Sequence, residues 1–528
     1  MNNISILDCT LRDGGYINEW NFGNHTIHRI IDLLEQSNID IIECGFLRDV
    51  PYNENCSVYS TLGQIVPFIP FKKKDTMYVA MIALGDIDVA KIPPYNGESI
   101  DGIRLTFHRS EWDEVFLQGK HLQEKGYKVF IQPVGTTTYT DAELLQLVER
   151  VNELQPFAFY IVDTLGAMYQ NELLRTFHII DHNLHPGILI GFHSHNNLQL
   201  SFANAQSLLM LHTKREIILD ASVFGMGRGA GNLCTELIAQ YININMKSKY
   251  DVTPLLEIVD NYLLPIFNMT PWGYSVPYYL AAANGIHPNY ATYLMNKQTI
   301  NIKKINTIMN IIPDEQRDMY NKEIIEKIYL EFQSHMVDDR IQRQKIHDFF
   351  NAHTVLVLAP GSTIQTHRNT ILKFIEENHP VIITVNFVTD LYKQNILFIS
   401  NSKRFSSISQ LPAEADGPII VTSNIMQQPT DGRFLIVDYL SLIGNGAEAD
   451  NAGVMLINLL ESIHVAEVHL AGFDGFSLNL QESFALPEMV RSVEKDAILA
   501  RNDAIKDQFN NLQKKIKLRF LTPSIYQE

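Results

Sequence analysis

Two histidines one residue apart, His193 and His195 in Gly-Phe-His-Ser-His-Asn-Asn, follow the apolar run Leu189-Ile190-Gly191-Phe192 and precede a helix-like stretch beginning at Leu198. On an extended strand, side chains at i and i+2 share a face, so both imidazoles point the same way from one rigid edge. That is half of a divalent-metal site. An isolated His-x-His is more often a hydrogen-bonded loop pair, so other residues must complete the set. A carboxylate follows another short apolar run, in Thr10-Leu11-Arg12-Asp13-Gly14-Gly15-Tyr16. Adjacent Arg12 and Asp13 offer a cation and a ligand from one strand end; isolated, they would read as a surface ion pair. One carboxylate, two imidazoles and an amide oxygen, completed by water, suit Mn²⁺ or Mg²⁺ better than tetrahedral zinc.

Positioning such a set needs a rigid frame. Apolar runs at residues 4–9, 39–44, 77–82, 102–106, 128–132, 158–162, 188–192 and 217–221 alternate with intervals that suit a helix after most of them. Eight such units within residues 1–245 predict a (β/α)8 TIM barrel, an α/β fold usually ~250 residues long. The residues just past each strand then line one mouth. They include Asp13, Glu43, His108, Gln132 to Thr137, Asp163 to Ala167, the two histidines and Gly225-Met226-Gly227-Arg228-Gly229-Ala230-Gly231-Asn232. A barrel that served only as a scaffold would not need polar and glycine-rich residues at these ends.

A chain of 528 residues exceeds one ordinary core and predicts two or three domains. Its net charge of −17 argues against a general nucleic-acid or anionic-membrane surface, so an anionic substrate needs a locally built positive site. Four cysteines, none in a Cys-x-x-Cys pair, make no disulfide framework. The first residues lack the basic and apolar regions of a signal peptide, and no apolar run is long enough to span a bilayer. A reduced, cytoplasmic protein without membrane insertion is expected.

The Thr-Leu-Arg-Asp-Gly segment, Glu43 after the second strand, His-x-His after the seventh and the Gly-Asn segment after the eighth resemble the DRE-TIM metallolyase superfamily. Its members include 4-hydroxy-2-oxovalerate aldolase, hydroxymethylglutaryl-CoA lyase and isopropylmalate synthase. The resemblance covers residues 4–300, and His193 to Leu198 is most similar to the aldolase branch. It implies a divalent-metal-dependent aldolase or lyase acting on a small 2-oxo acid. By resemblance, Asp13, His193 and His195 hold the metal with Asn232 as a further ligand. Arg12 stabilises the enolate and Glu43 buttresses it. The chemistry agrees, because a Lewis acid and a guanidinium both stabilise an enolate oxyanion. Where the aldolases carry a histidine base shortly after the Arg-Asp pair, this chain has Tyr16. A phenol ordinarily titrates near ~10 and is a poorer base at neutral pH. His108 is an alternative base. The rival readings are a Claisen-type acyltransferase using an acyl-CoA and a non-catalytic scaffold.

Residues 246–350 read as a helical extension packing on the barrel mouth or on another subunit, which predicts a homo-oligomer. Related aldolases draw a tyrosine from such an extension, which makes Tyr290 or His287 a candidate acid or base. Residues 351–528 alternate strands and helices and predict a Rossmann-like, doubly wound α/β domain. Pro360-Gly361-Ser362-Thr363 at its first strand-to-helix turn could cradle a phosphate, with Gly361 and Ser362 as binding residues. This domain loosely resembles those of bacterial surface-polysaccharide proteins, some of whose relatives handle nucleotides or pterins. A ligand-binding or assembly domain and a second enzyme, with Asp474 as first suspect, both remain open here.

Overall fold

Strands β1 (Ile4–Asp8), β2 (Ile41–Leu47), β3 (Val58–Tyr59), β4 (Met77–Ala83), β5 (Gly102–Phe107), β6 (Lys128–Pro133), β7 (Ala158–Asp163), β8 (Leu189–Ser194) and β9 (Ile217–Ala221) form one parallel sheet in the computed structural model. The structure describes residues 4–69, 72–73, 75–317, 319–351, 353–408, 417–425, 432–443, 450–478, 484–485 and 495–527. Pairing runs β1-β9-β8-β7-β6-β5-β4-β2, and β2 returns to β1 through Leu7↔Ile41 and Asp8↔Ile42. This closes an eight-stranded barrel, the TIM-barrel α/β fold. Barrel strands are covered on both faces, which is why they read as unbroken apolar runs. Leu7, Cys9, Ile41, Val79, Phe130, Tyr160 and Ile218 fill the interior.

The outer layer follows from helix periodicity. In Asp141–Leu154, Leu144, Leu147, Val148 and Val151 fall on one buried stripe. Thr140 and Glu143 form a reciprocal capping box at its start, and Gln155 ends it in the left-handed conformation. Helices also follow β1, β5, β7, β8 and β9, whereas β2 and β4 are followed only by short 3-10 turns among the described residues. The pairing of β2 with β4 shifts register between Glu43 and Phe46. Gly45, at φ +145°, sits in that bulge, and a Cβ there would lie 2.0 Å from the Ser57 carbonyl oxygen. A bulge of this kind re-aims the side chains beside it, here Glu43 at the barrel mouth.

The chain divides into two compact units, Met1–Pro288 and Asn289–Glu528. The helical stretch expected as one layer over residues 246–350 is therefore shared between them. In the second unit, β10 (Val355–Leu358), β11 (Val381–Val385), β12 (Ile396–Ile399), β13 (Ile419–Thr422), β14 (Phe434–Val437), β15 (Glu467–Ala471) and β16 (Lys517–Phe520) are all parallel, in the order β14-β13-β12-β11-β10-β15-β16. Val355 and Val357 enter one apolar core while Leu356 and Leu358 enter another. A strand apolar on alternate sides requires cover on both faces, which is the doubly wound arrangement. No helix among the described residues is long and apolar enough to cross a membrane.

Candidate metal centre

The first unit brings Asp13, His193 and His195 together at the carboxyl ends of β1 and β8, with one ligand atom from each lying within 4.8 Å of the others. His195 Nε2 is 3.7 Å from Asp13 Oδ2. Asn232 Nδ2 donates to the same oxygen at 2.6 Å and to the Met226 carbonyl at 3.1 Å. Its own Oδ1 is buried without a partner among the described residues. An orphaned amide oxygen beside a carboxylate and two imidazoles fits a hard divalent cation. His193 Nδ1 lies 3.0 Å from Asp220 Oδ2. With Nδ1 donating, the carboxylate fixes the tautomer and leaves Nε2 bare toward the site.

Protonation states agree with ligation. Burial would raise Asp13, but Arg12, His195 and His193 hold it well below the usual carboxylate range. Burial pushes His195 down to about 3, against the pull of Asp13, so it is a neutral imidazole at physiological pH. The glycine-rich loop after β9 packs close to these groups. A Cβ on Gly227 would stand 2.3 Å from Asn232 Nδ2 and 3.1 Å from Asp13 Oδ2, so any side chain there would displace the set.

Beneath the ligands runs a chain of buried charges. Arg12 Nη1 donates to Asp13 Oδ1 at 2.6 Å and Nε to Glu43 Oε2 at 2.8 Å. Arg104, fully buried in β5, pairs with Glu43 at 2.6 Å and with Asp220. With its amide oxygen turned toward Arg104, Gln132 accepts from Nε at 2.6 Å. The line Arg12–Glu43–Arg104–Asp220–His193 thus joins the cation to the metal set. Sequence reading found Arg12 and Glu43 and missed Arg104 and Asp220. The available signal was a charged residue in the middle of an apolar barrel strand, Gly-Ile-Arg-Leu and Ile-Leu-Asp-Ala.

Tyr16 forms part of the mouth wall. Its ring stands edge-on to Trp20 at 4.8 Å, and the Arg228 guanidinium lies 4.1 Å from its centroid. Arg228 was quoted in the sequence only as part of the glycine segment, yet it is a second cation of the mouth. His287 belongs to the same surroundings, since burial and the nearby Arg228 lower it to about 4.

Four expected site residues are otherwise engaged. His108 is exposed and caps the turn Arg109–Glu111 in a box with Glu111. Tyr290 belongs to the second unit, fully buried. Its hydroxyl shares its one proton between the Gln316 and Met319 carbonyls, each at 2.9 Å, and accepts from the Asn321 amide, so its bonds go to backbone groups. The Gly361-Ser362 loop is filled by a carboxylate. Asp474 accepts from Ser362 Oγ at 3.1 Å, from the Thr363 amide at 2.8 Å and from Thr363 Oγ1. A phosphate on those donors would have to displace an anion.

Residues 118–261 match the HMGL-like family model. The 4-hydroxy-2-oxovalerate aldolase of Geobacillus thermodenitrificans (strain NG80-2) is 24% identical over 274 residues, covering 50% of this chain and 77% of that enzyme. The oxaloacetate decarboxylase of Mycobacterium tuberculosis is 26% identical over 245 residues, covering 44% of this chain and 68% of the relative. Among solved structures, the HMG-CoA lyase from Brucella melitensis aligns over 49% of this chain and 96% of its own at 13% identity, with a TM-score of 0.38. The chain is thus similar in sequence to enzymes named as an aldolase and a decarboxylase.

Proposed function

We propose that the barrel is a divalent-metal-dependent lyase that makes or breaks a carbon–carbon bond beside a 2-oxo acid, with a pyruvate-type enolate as the common fragment. One observation carries this reading. Arg12 commits Nε to Glu43 and Nη1 to Asp13, and its Nη2 is buried without a partner among the described residues. A guanidinium with one spare donor beside a metal-ligand set is arranged to hold an oxyanion. Asp13, His193 and His195 would hold Mn²⁺ or Mg²⁺, with Asn232 Oδ1 as a further ligand. Such an ion supplies Lewis acidity toward the carboxylate and 2-oxo oxygen.

For a 4-hydroxy-2-oxo acid, the bond between C3 and C4 breaks as the C4 hydroxyl loses its proton. The electron pair of that bond passes to the C2 oxygen through the enolate, and Arg12 Nη2 donates to the resulting negative charge. Protonation at C3 then gives the 2-oxo acid product, and the former C4 leaves as an aldehyde. The proton lost from the C4 hydroxyl balances the one gained at C3, and Tyr16 is the side chain that would relay it. Glu43 and Arg104 position Arg12 and keep its fork aimed.

A decarboxylation reading is favoured by Arg228. A second cation over Tyr16 would pair with the second carboxylate of a dicarboxylic 2-oxo acid. A surface-polysaccharide setting rests on the resemblance of residues 351–528 alone. The test supplies metal-replete protein with 4-hydroxy-2-oxopentanoate and with oxaloacetate and follows pyruvate release. Release that a chelator abolishes and Mn²⁺ restores is expected, and the preferred substrate decides between the two readings. No release from either would reject both.

A further inference from the structure

The second unit holds a cavity of about 1230 Å³, counting its opening to solvent. Its wall is drawn from the residues after β10, β11, β12 and β15. Strand order reverses between β10 and β15, which lie side by side within the sheet. The crevice beyond the carboxyl ends at such a switch point is where open α/β sheets take ligands.

Side chains on this wall carry unused donors. Asn386 is 8% exposed and Asn401 9% exposed. Asn386 Oδ1 accepts from the Ser400 amide at 3.0 Å, and Asn401 Oδ1 accepts from the Arg404 amide at 2.8 Å. Those bonds fix each amide's orientation and leave both Nδ2 groups without a partner among the described residues. Asn386 also adopts φ +59°, a conformation costly for most residues and tolerated by Asn. The acids nearby are already engaged: Asp474 by Ser362 and Thr363, and Asp450 by the Tyr329 hydroxyl. Spare donors beside satisfied acids select a ligand that brings acceptors. Arg404, Lys297 and Arg501 line the same cavity and favour negative charge on it. Phe473, Phe476 and Tyr526 supply flat apolar surface.

We propose that this cavity binds a nucleoside monophosphate, its phosphate toward Asn386 Nδ2, Asn401 Nδ2 and Arg404 and its base against the aromatic wall. Gly361 of the Pro-Gly-Ser-Thr turn also lines the cavity, but the Ser362 hydroxyl is committed to Asp474, and the site does not rest on the barrel's chemistry. The test is calorimetry of the full-length protein with AMP, CMP, GMP, UMP and inorganic phosphate. Asn386→Asp and Asn401→Asp keep the Oδ1 acceptor that each loop needs, while replacing a donor by a negative charge. Saturable binding of at least one nucleotide is expected, with each variant weakening it about tenfold or more, the loss of a hydrogen bond to a charged group. Ser362→Ala should leave it unchanged. No binding of any of the four nucleotides, or equal binding by both Asp variants, overturns the proposal. Inorganic phosphate binding as tightly as every nucleotide would overturn the nucleotide assignment, since the aromatic wall would then contribute nothing.

Discussion

The barrel mouth and the second cavity are both built at the carboxyl ends of parallel strands, and they treat charge in opposite ways. In the mouth, Arg12, Glu43, Arg104 and Asp220 are all buried and linked by ion pairs, and the atoms left without a hydrogen bond include Arg12 Nη2, Asn232 Oδ1 and one oxygen each of Glu43 and Asp220. In the second cavity the acids are satisfied by neighbouring hydroxyls and the spare atoms are amide donors. The first arrangement can meet charge that develops during a reaction. The second can recognise an anion that is already formed. A fixed charge network is therefore what separates the proposed reaction site from the proposed binding site in this chain.

Breaking the network tests that contrast most severely. Asp220→Ala leaves Arg104 buried with one partner fewer and frees His193 Nδ1. Unfolding experiments should show a loss of about 3–5 kcal/mol, the usual cost of removing one member of a buried ion pair. In the second cavity, Asp474→Asn keeps its shape and one acceptor, so a smaller loss of about 1–3 kcal/mol is expected. Equal losses at the two positions would dissolve the distinction.

Arg12→Lys preserves charge but not the planar fork that serves Glu43, Asp13 and an oxyanion together. Its turnover should fall by about 10²–10³ while metal content stays the same. Full activity would remove Arg12 from the oxyanion role. Tyr16→Phe keeps the ring beneath Arg228 and deletes only the hydroxyl. A loss of about 10² in kcat for the aldol substrate is expected if that hydroxyl moves the proton. An unchanged rate would assign proton transfer to another group.

The smallest effect concerns Asp8 at the end of β1. Burial raises its carboxyl from 3.8 to about 6, against the bonds from Thr235 and Thr10 that lower it. A carboxyl raised on folding contributes stability below its unfolded pKa, and that contribution is lost as pH rises through the folded value. Asp8→Asn removes the titration, so its Tm relative to the native protein should climb between about pH 4 and about pH 7. A flat difference would show that Asp8 does not titrate in this window.

The barrel was legible because double-sided burial writes each strand as an apolar run, and the metal set was legible because His-x-His and Arg-Asp sit at strand ends. What escaped was pairing across the chain. Arg104 and Asp220 meet over 116 positions, and neither names its partner locally. The Pro-Gly-Ser-Thr turn looked like a phosphate cradle because the carboxylate that fills it, Asp474, lies 111 residues later. Strand β16 carries a weak apolar signal because only its alternate residues turn inward and its exposed Lys517 and Arg519 pair with Glu467 on β15. Tyr290 drew notice as a reactive type, but its hydroxyl serves backbone carbonyls 26 and 29 residues away.

The central claim is that Asp13, His193 and His195 form one divalent-metal site. Metal analysis of the freshly purified protein and of His193→Ala, each loaded with Mn²⁺ and desalted, addresses it directly. About one equivalent in the native protein and a small fraction of that in the variant is the predicted result, since removing one of three ligands strips most of the affinity. Equal metal in both would contradict it.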